Sequence, residues 1–209
     1  MRKIGILFQD DMARAILDNR KTLTSRLRGL DLINERPDDW TLCPDNGGDK
    51  PDVFLFLYRP APGFLRIRCP YGQPGDTLVG RECWAVHPED GSTIYRADRG
   101  GDYQGAAQGL FKWRSSMVMP WSRSRLRLPV VRTWPSRLQD MSYLDCEKEG
   151  LLHVHRGWWV NPYAKDPQST GATEGVDCYR NLWDRINGKT HPWASNPWVW
   201  RIEFARQTP

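Results

Sequence analysis

The chain has no stretch of about 18 or more consecutive apolar residues, so its sequence predicts no membrane-spanning helix. Its start, MRKIGILFQDD, lacks the apolar core and small-residue cleavage site of a secretory signal. A soluble cytoplasmic protein is expected. Cysteine is sparse and odd in number: Cys43, Cys69, Cys83, Cys146 and Cys178 are widely spaced with no Cys-x-x-Cys pair, which argues against a zinc ribbon or a redox dithiol and for reduced thiols. Only four histidines occur. His153 and His155 stand one residue apart but have no third ligand nearby, so a structural or surface pair is the better reading and no metal or other cofactor is expected. There is no internal repeat.

Lysine is scarce as well. Of 30 basic residues seven are Lys and 23 Arg, against 25 acidic residues and beside 11 Trp. Arginine forks suit phosphates and carboxylates and stack on rings. The same bias also arises from a GC-rich genome, and a net charge of +5 does not by itself indicate nucleic acid. At 209 residues the chain can bury a full core as one domain.

Residues 9 to 19 place Met12, Ala15 and Ile16 at helical spacing behind Asp10 and Asp11, which suit a helix N-terminus. The stretch 34 to 52 has loop composition. Strand character follows at 53–58, 64–68, 77–86, 92–98, 117–119 and 125–132, and Pro129 suggests an edge strand or a bulge in the last. Ser142 with Asp145 resembles a capping box for a helix over 143–149, stopped by Gly150. A second apolar stripe predicts a helix over 177–187. Trp198, Trp200, Ile202 and Phe204 alternate with Val199, Arg201 and Glu203, as a strand requires. The expected class is α+β, mainly β: a small, partly open barrel flanked by short helices.

Just after the first helix stands Arg20-Lys21-Thr22-Leu23-Thr24-Ser25-Arg26. An amine, hydroxyls and a guanidinium are concentrated where a strand should begin. The ordinary reading is a basic, solvated strand start. The functional reading requires Lys21 and Thr24 to face one side, which a regular strand forbids at a separation of three, so a bulge or a helix-to-strand transition is needed between them.

These residues, with the Tyr71-Gly-Gln-Pro-Gly-Asp76 turn, Arg81-Glu82-Cys83-Trp84, Leu138-Gln-Asp-Met-Ser142, Glu149-Gly150 and the terminal Trp-Val-Trp-Arg-Ile-Glu-Phe, resemble the ASCH domain family, in the long form often encoded by phages and prophages. The resemblance implies a PUA-like fold over residues 1–209, with insertions at about 34–66 and 99–112. It implies RNA or a modified cytosine nucleoside as partner. One branch of the family hydrolyses N4-acylated cytidines, such as N4-acetylcytidine, with a Lys, Thr and Glu triad. By motif these are Lys21, Thr24 and Glu149, with Glu147 as rival acid. Arg26, which matches the family's strand arginine, becomes a candidate substrate-binding residue together with Arg81, Glu82 and Trp84.

The chemistry is coherent. Amide hydrolysis needs a hydroxyl, a base and an oxyanion donor. A lysine serves as base when burial or neighbouring cations such as Arg20 and Arg26 lower its pKa. Glu149 would orient that amine and shuttle its proton. Trp84 could stack on a pyrimidine and Glu82 accept from its exocyclic amine, although Trp84 equally suits a core. The competing functions are an RNA or modified-base binder with Arg26, Arg81, Arg125 and Arg127 on phosphates, and a metal-independent ribonuclease using Lys21.

Overall fold

The computed structural model describes residues 1–44, 50–99, 109–154, 158–160 and 174–205. It is a mixed α+β structure dominated by sheet, with four α-helices among the described residues. A five-stranded sheet runs in the order β1 (Lys3–Leu7), β6 (Thr77–Arg81), β9 (Leu126–Arg137), β12 (Trp198–Phe204), β2 (Leu23–Arg26). β1 and β6 are parallel and the other pairs antiparallel. A second sheet of β3 (Trp40–Leu42), β4 (Val53–Tyr58) and β5 (Phe64–Arg68) lies across one face. Two hairpin-like pairs complete the β structure: β7 (Trp84–Val86) with β8 (Thr93–Tyr95), and β10 (Leu152–Val154) with β11 (Trp158–Val160).

β12 has a core on each face because its two alternating sets are both buried. Trp198, Trp200, Ile202 and Phe204 meet Phe54 and Phe56 of β4, with Phe54 to Trp200 at 5.3 Å and Phe56 to Trp198 edge to face at 5.1 Å. Ala13 and Ile16 of α1 (Asp10–Leu17) join this core. Val199 faces the other way, into Cys146 of α3 (Tyr143–Lys148) and Cys178, Tyr179, Leu182 and Trp183 of α4 (Gly175–Asn187). Each buried Trp or Leu contributes on the order of 2 kcal/mol of apolar transfer.

Several expected elements differ. The region 77–86 is two strands, since the chain turns at Glu82-Cys83. Residues 117–119 form no strand; Ser115 caps a 3-10 turn over Ser116–Val118. A fourth short helix, α2 (Asp31–Asn34), ends where the expected loop over 34–52 begins, and β3 lies inside that stretch because Trp40 and Leu42 pack on the first core. Pro129 sits in a central strand, not at an edge; the irregularity falls beside it, where Glu203 pairs with Arg132 but Phe204 with Val130. Most of the expected 99–112 insertion, and His155, lie outside the described residues.

The described sheets are open. The edges β1 and β2 share no ladder, and Arg26 Nη2 spans them by donating to the Leu7 carbonyl at 2.8 Å. No helix among the described residues is long and apolar enough to cross a membrane, and the five cysteines are free thiols.

Candidate functional site

Lys21 precedes β2, in the transition out of α1. Asn19 adopts the left-handed conformation at φ 56°, and the amides of Arg20 and Lys21 both donate to the Ala15 carbonyl. Thr22 then donates to the Lys148 carbonyl at 2.8 Å, tying the strand start to α3. The expected helix-to-strand transition is therefore present at 19–22, but the side chain it brings to the side of Lys21 is that of Ser25 and not of Thr24.

Glu149 arrives from the opposite side. Ser142 and Asp145 form the expected capping box at the start of α3, Glu149 is its C-cap and Gly150 turns the chain at φ +97°. A Cβ on Gly150 would lie 3.1 Å from that of Ala15 and 3.3 Å from that of Lys21. Only glycine tolerates both the dihedral and this proximity. Arg20 Nη1 donates to the Gly150 carbonyl at 2.8 Å and secures the turn.

The result is a buried polar cluster beside the second core. Lys21 Nζ donates to Glu149 Oε2, and to its backbone carbonyl at 3.0 Å. Ser25 Oγ donates to Glu149 Oε1 at 2.7 Å, and Tyr179 OH to the same oxygen at 3.2 Å. Arg201 Nη1 stands 3.5 Å from Ser25 Oγ, while its guanidinium is held by the Leu138 carbonyl, Met141 Sδ and Ser136 Oγ. Glu149 is thus no exposed helix-end glutamate. Glu147, its rival, is exposed.

Burial pulls the Lys21 ammonium below its ordinary pKa against the attraction of Glu149. Burial would push the Glu149 carboxyl up, but Lys21, Ser25 and Arg201 outweigh it and hold the carboxyl below its ordinary value. Burial beside Glu149 pushes the Tyr179 phenol well up. By geometry the two side chains of Lys21 and Glu149 form a buried salt bridge with an added serine donor.

Thr24 is placed differently. It pairs with Ile202 and Arg26 with Trp200, both first-core residues, whereas Ser25 pairs with Arg201. Since neighbouring residues alternate faces, Thr24 and Arg26 belong to the first-core face of β2, and Ser25 to the face of Lys21 and Glu149. Thr24 is buried, and Arg26 lies over the Phe8 ring at 5.3 Å.

The remaining candidates form a separate group beyond β6. Glu82 is fully buried and gripped by Arg125, Nε to Oε1 at 2.8 Å and Nη2 to Oε2 at 2.9 Å. Burial raises its carboxyl pKa, which Arg125 only partly offsets. Arg125 also reaches Asp98 and covers the Tyr95 ring at 3.8 Å. The Trp84 ring is buried, with Arg114 and Arg123 at 5.0 and 5.4 Å from its centroid. Arg81 donates to the Met117 carbonyl at 2.8 Å. None of these contacts joins this group to Lys21 and Glu149.

Sequence reasoning missed Ser25, Tyr179 and Arg201. A signal for Arg201 was available: Val199 on its side of the terminal strand is apolar, so that face too was a candidate for burial. Among the described residues no group of three or more His, Cys, Asp or Glu is arranged to hold a metal ion. No family model, curated protein or solved structure matches this chain, and the assignment of its site rests on the geometry above and the motifs of the sequence.

Proposed function

We propose that the chain is an amidohydrolase acting on N4-acylated cytosine nucleosides, a long ASCH-type domain with a PUA-like barrel. The observation that carries this reading is the buried contact between the Lys21 amine and the Glu149 carboxylate, 128 residues apart, closed onto a strand hydroxyl. A buried ion pair costs desolvation that two apolar residues would avoid. Chemistry that moves a proton between a hydroxyl and an amide nitrogen uses such a pair. Glu149 takes and returns the proton, Lys21 fixes the carboxylate in place, and a hydroxyl of β2 attacks the acyl carbon. Thr24 is the hydroxyl the family resemblance implies. Incubation with N4-acetylcytidine, followed by the absorbance change as cytidine forms, tests the reading. Turnover that falls about 100-fold or more in Lys21→Ala supports it; absent turnover, or turnover unaffected by that substitution, refutes it.

A second reading, an RNA-binding module, draws on the outer face of the main sheet. There Arg81, Arg127 and the partly exposed Trp121 lie together, with Arg127 Nη2 donating to the Trp121 carbonyl at 2.7 Å. Phosphate binding there would weaken steeply with salt.

A further inference from the structure

We infer that Ser25, and not Thr24, is the nucleophile of the hydrolysis; the inference rests on the amidohydrolase reading. Three observations single it out. Ser25 Oγ is already hydrogen-bonded to the carboxylate that would take its proton, at 2.7 Å from Glu149 Oε1, within the range a general base requires. It is also the least deeply buried member of its cluster, at 8% exposure against 2% for Lys21, 4% for Glu149 and 1% for Arg201. Arg201 Nη1, 3.5 Å from the same oxygen, places positive charge beside the hydroxyl, which favours loss of its proton. Thr24 has none of these relationships: its register with Ile202 assigns it to the other face of β2, and no described side chain hydrogen-bonds its hydroxyl.

The step balances on these atoms. Ser25 Oγ forms a bond to the acyl carbon while its proton passes to Glu149 Oε1. The carbon–N4 bond breaks as Glu149 returns that proton to N4, releasing the free cytosine amine and leaving an ester on Ser25. Water then attacks the ester carbon, gives one proton to Glu149 and releases the carboxylic acid, and that proton restores the Ser25 hydroxyl. Lys21 stays on Oε2 throughout and offsets the carboxylate's charge. Tyr179 and Arg201 are positioning residues in this scheme.

The test uses the full chain with N4-acetylcytidine and three variants: Ser25→Ala, Ser25→Thr and Thr24→Ala. The expected result is a loss of about 1000-fold or more in Ser25→Ala, partial activity in Ser25→Thr, and Thr24→Ala within about tenfold of the unaltered chain. Acid quenching of the unaltered chain during turnover, followed by peptide mapping, should place one acetyl group on Ser25. Turnover that survives Ser25→Ala, or an acetyl group on Thr24, overturns the assignment and leaves the amidohydrolase reading standing. If the unaltered chain does not turn over N4-acetylcytidine, the amidohydrolase reading falls. The serine is then judged by mapping after exposure to p-nitrophenyl acetate: acetyl on Ser25 upholds its nucleophilicity, and an unlabelled Ser25 overturns it.

Discussion

Gly150 stands against Lys21 so closely that a Cβ there would lie 3.3 Å from the Lys21 Cβ, and it does so at φ +97°. Its missing side chain is what lets α3 deliver Glu149 to the lysine amine. Gly150→Ala therefore meets both a strained dihedral and a crowded neighbour. It should destabilise the chain by about 1–3 kcal/mol, read as a lowered midpoint in denaturant. If the proposed function holds, it should also reduce turnover more than a distant change of equal stability cost.

Removing one partner of the ion pair should be worse than removing both. Glu149→Ala leaves the 2%-exposed Lys21 amine buried without its counter-charge, and a loss of about 3–5 kcal/mol is expected. In a double-mutant cycle, Lys21→Met with Glu149→Leu should cost less than the sum of the singles. Chemical denaturation of the four proteins measures the coupling.

Acid should find the same pair. The Glu149 carboxyl is held below its unfolded value by Lys21, Ser25 and Arg201. Its stabilisation is thus fully present above the unfolded carboxylate pKa of about 4.3 and is lost as pH falls through the lower folded value. Stability followed downward from about pH 6 should decline with a slope that flattens in the Lys21→Met, Glu149→Leu protein. An unchanged slope would place the acid sensitivity elsewhere, with Asp52 and Asp76, both also held low beside Arg2, as the next groups to alter.

Arg125 is the sole side chain hydrogen-bonded to the Glu82 carboxylate among the described residues, through both of its oxygens. Arg125→Leu should raise the Glu82 pKa further and cost about 3–5 kcal/mol at neutral pH, with Arg125→Leu, Glu82→Gln recovering part of it. Unfolding midpoints at neutral and mildly acid pH separate these outcomes, because protonating Glu82 relieves the single variant but not the double.

How much of this was legible in the residues varied with the kind of information needed. The capping box at Ser142, the stop at Gly150 and the alternation of 198–204 are local patterns, and each element formed where its pattern lies. Lys21 and Glu149 could be paired through motif order, although a contact spanning 128 positions leaves no local trace. The hydroxyl beside them was hidden. Whether Thr24 or Ser25 faces Glu149 depends on the residue at which β2 begins, and a one-residue shift exchanges the two faces. The backbone bonds of Asn19, Arg20 and Lys21 onto α1 set that point. The short helix at 31–34 was obscured in another way, since four residues are too few to show a helical period.

β12 lies between β9 and β2, so the strand nearest the C-terminal end of the described chain is an interior lane of the main sheet. During synthesis β2 waits for its partner until residue 204 has left the ribosome, because its register runs from Arg26 with Trp200 to Leu23 with Glu203. Pairing across such long stretches of chain makes for slow folding. In the interval Phe54 and Phe56 lack the tryptophan rings that cover them, and Ser25 lacks Arg201, so apolar and polar surface alike stay exposed until β12 arrives.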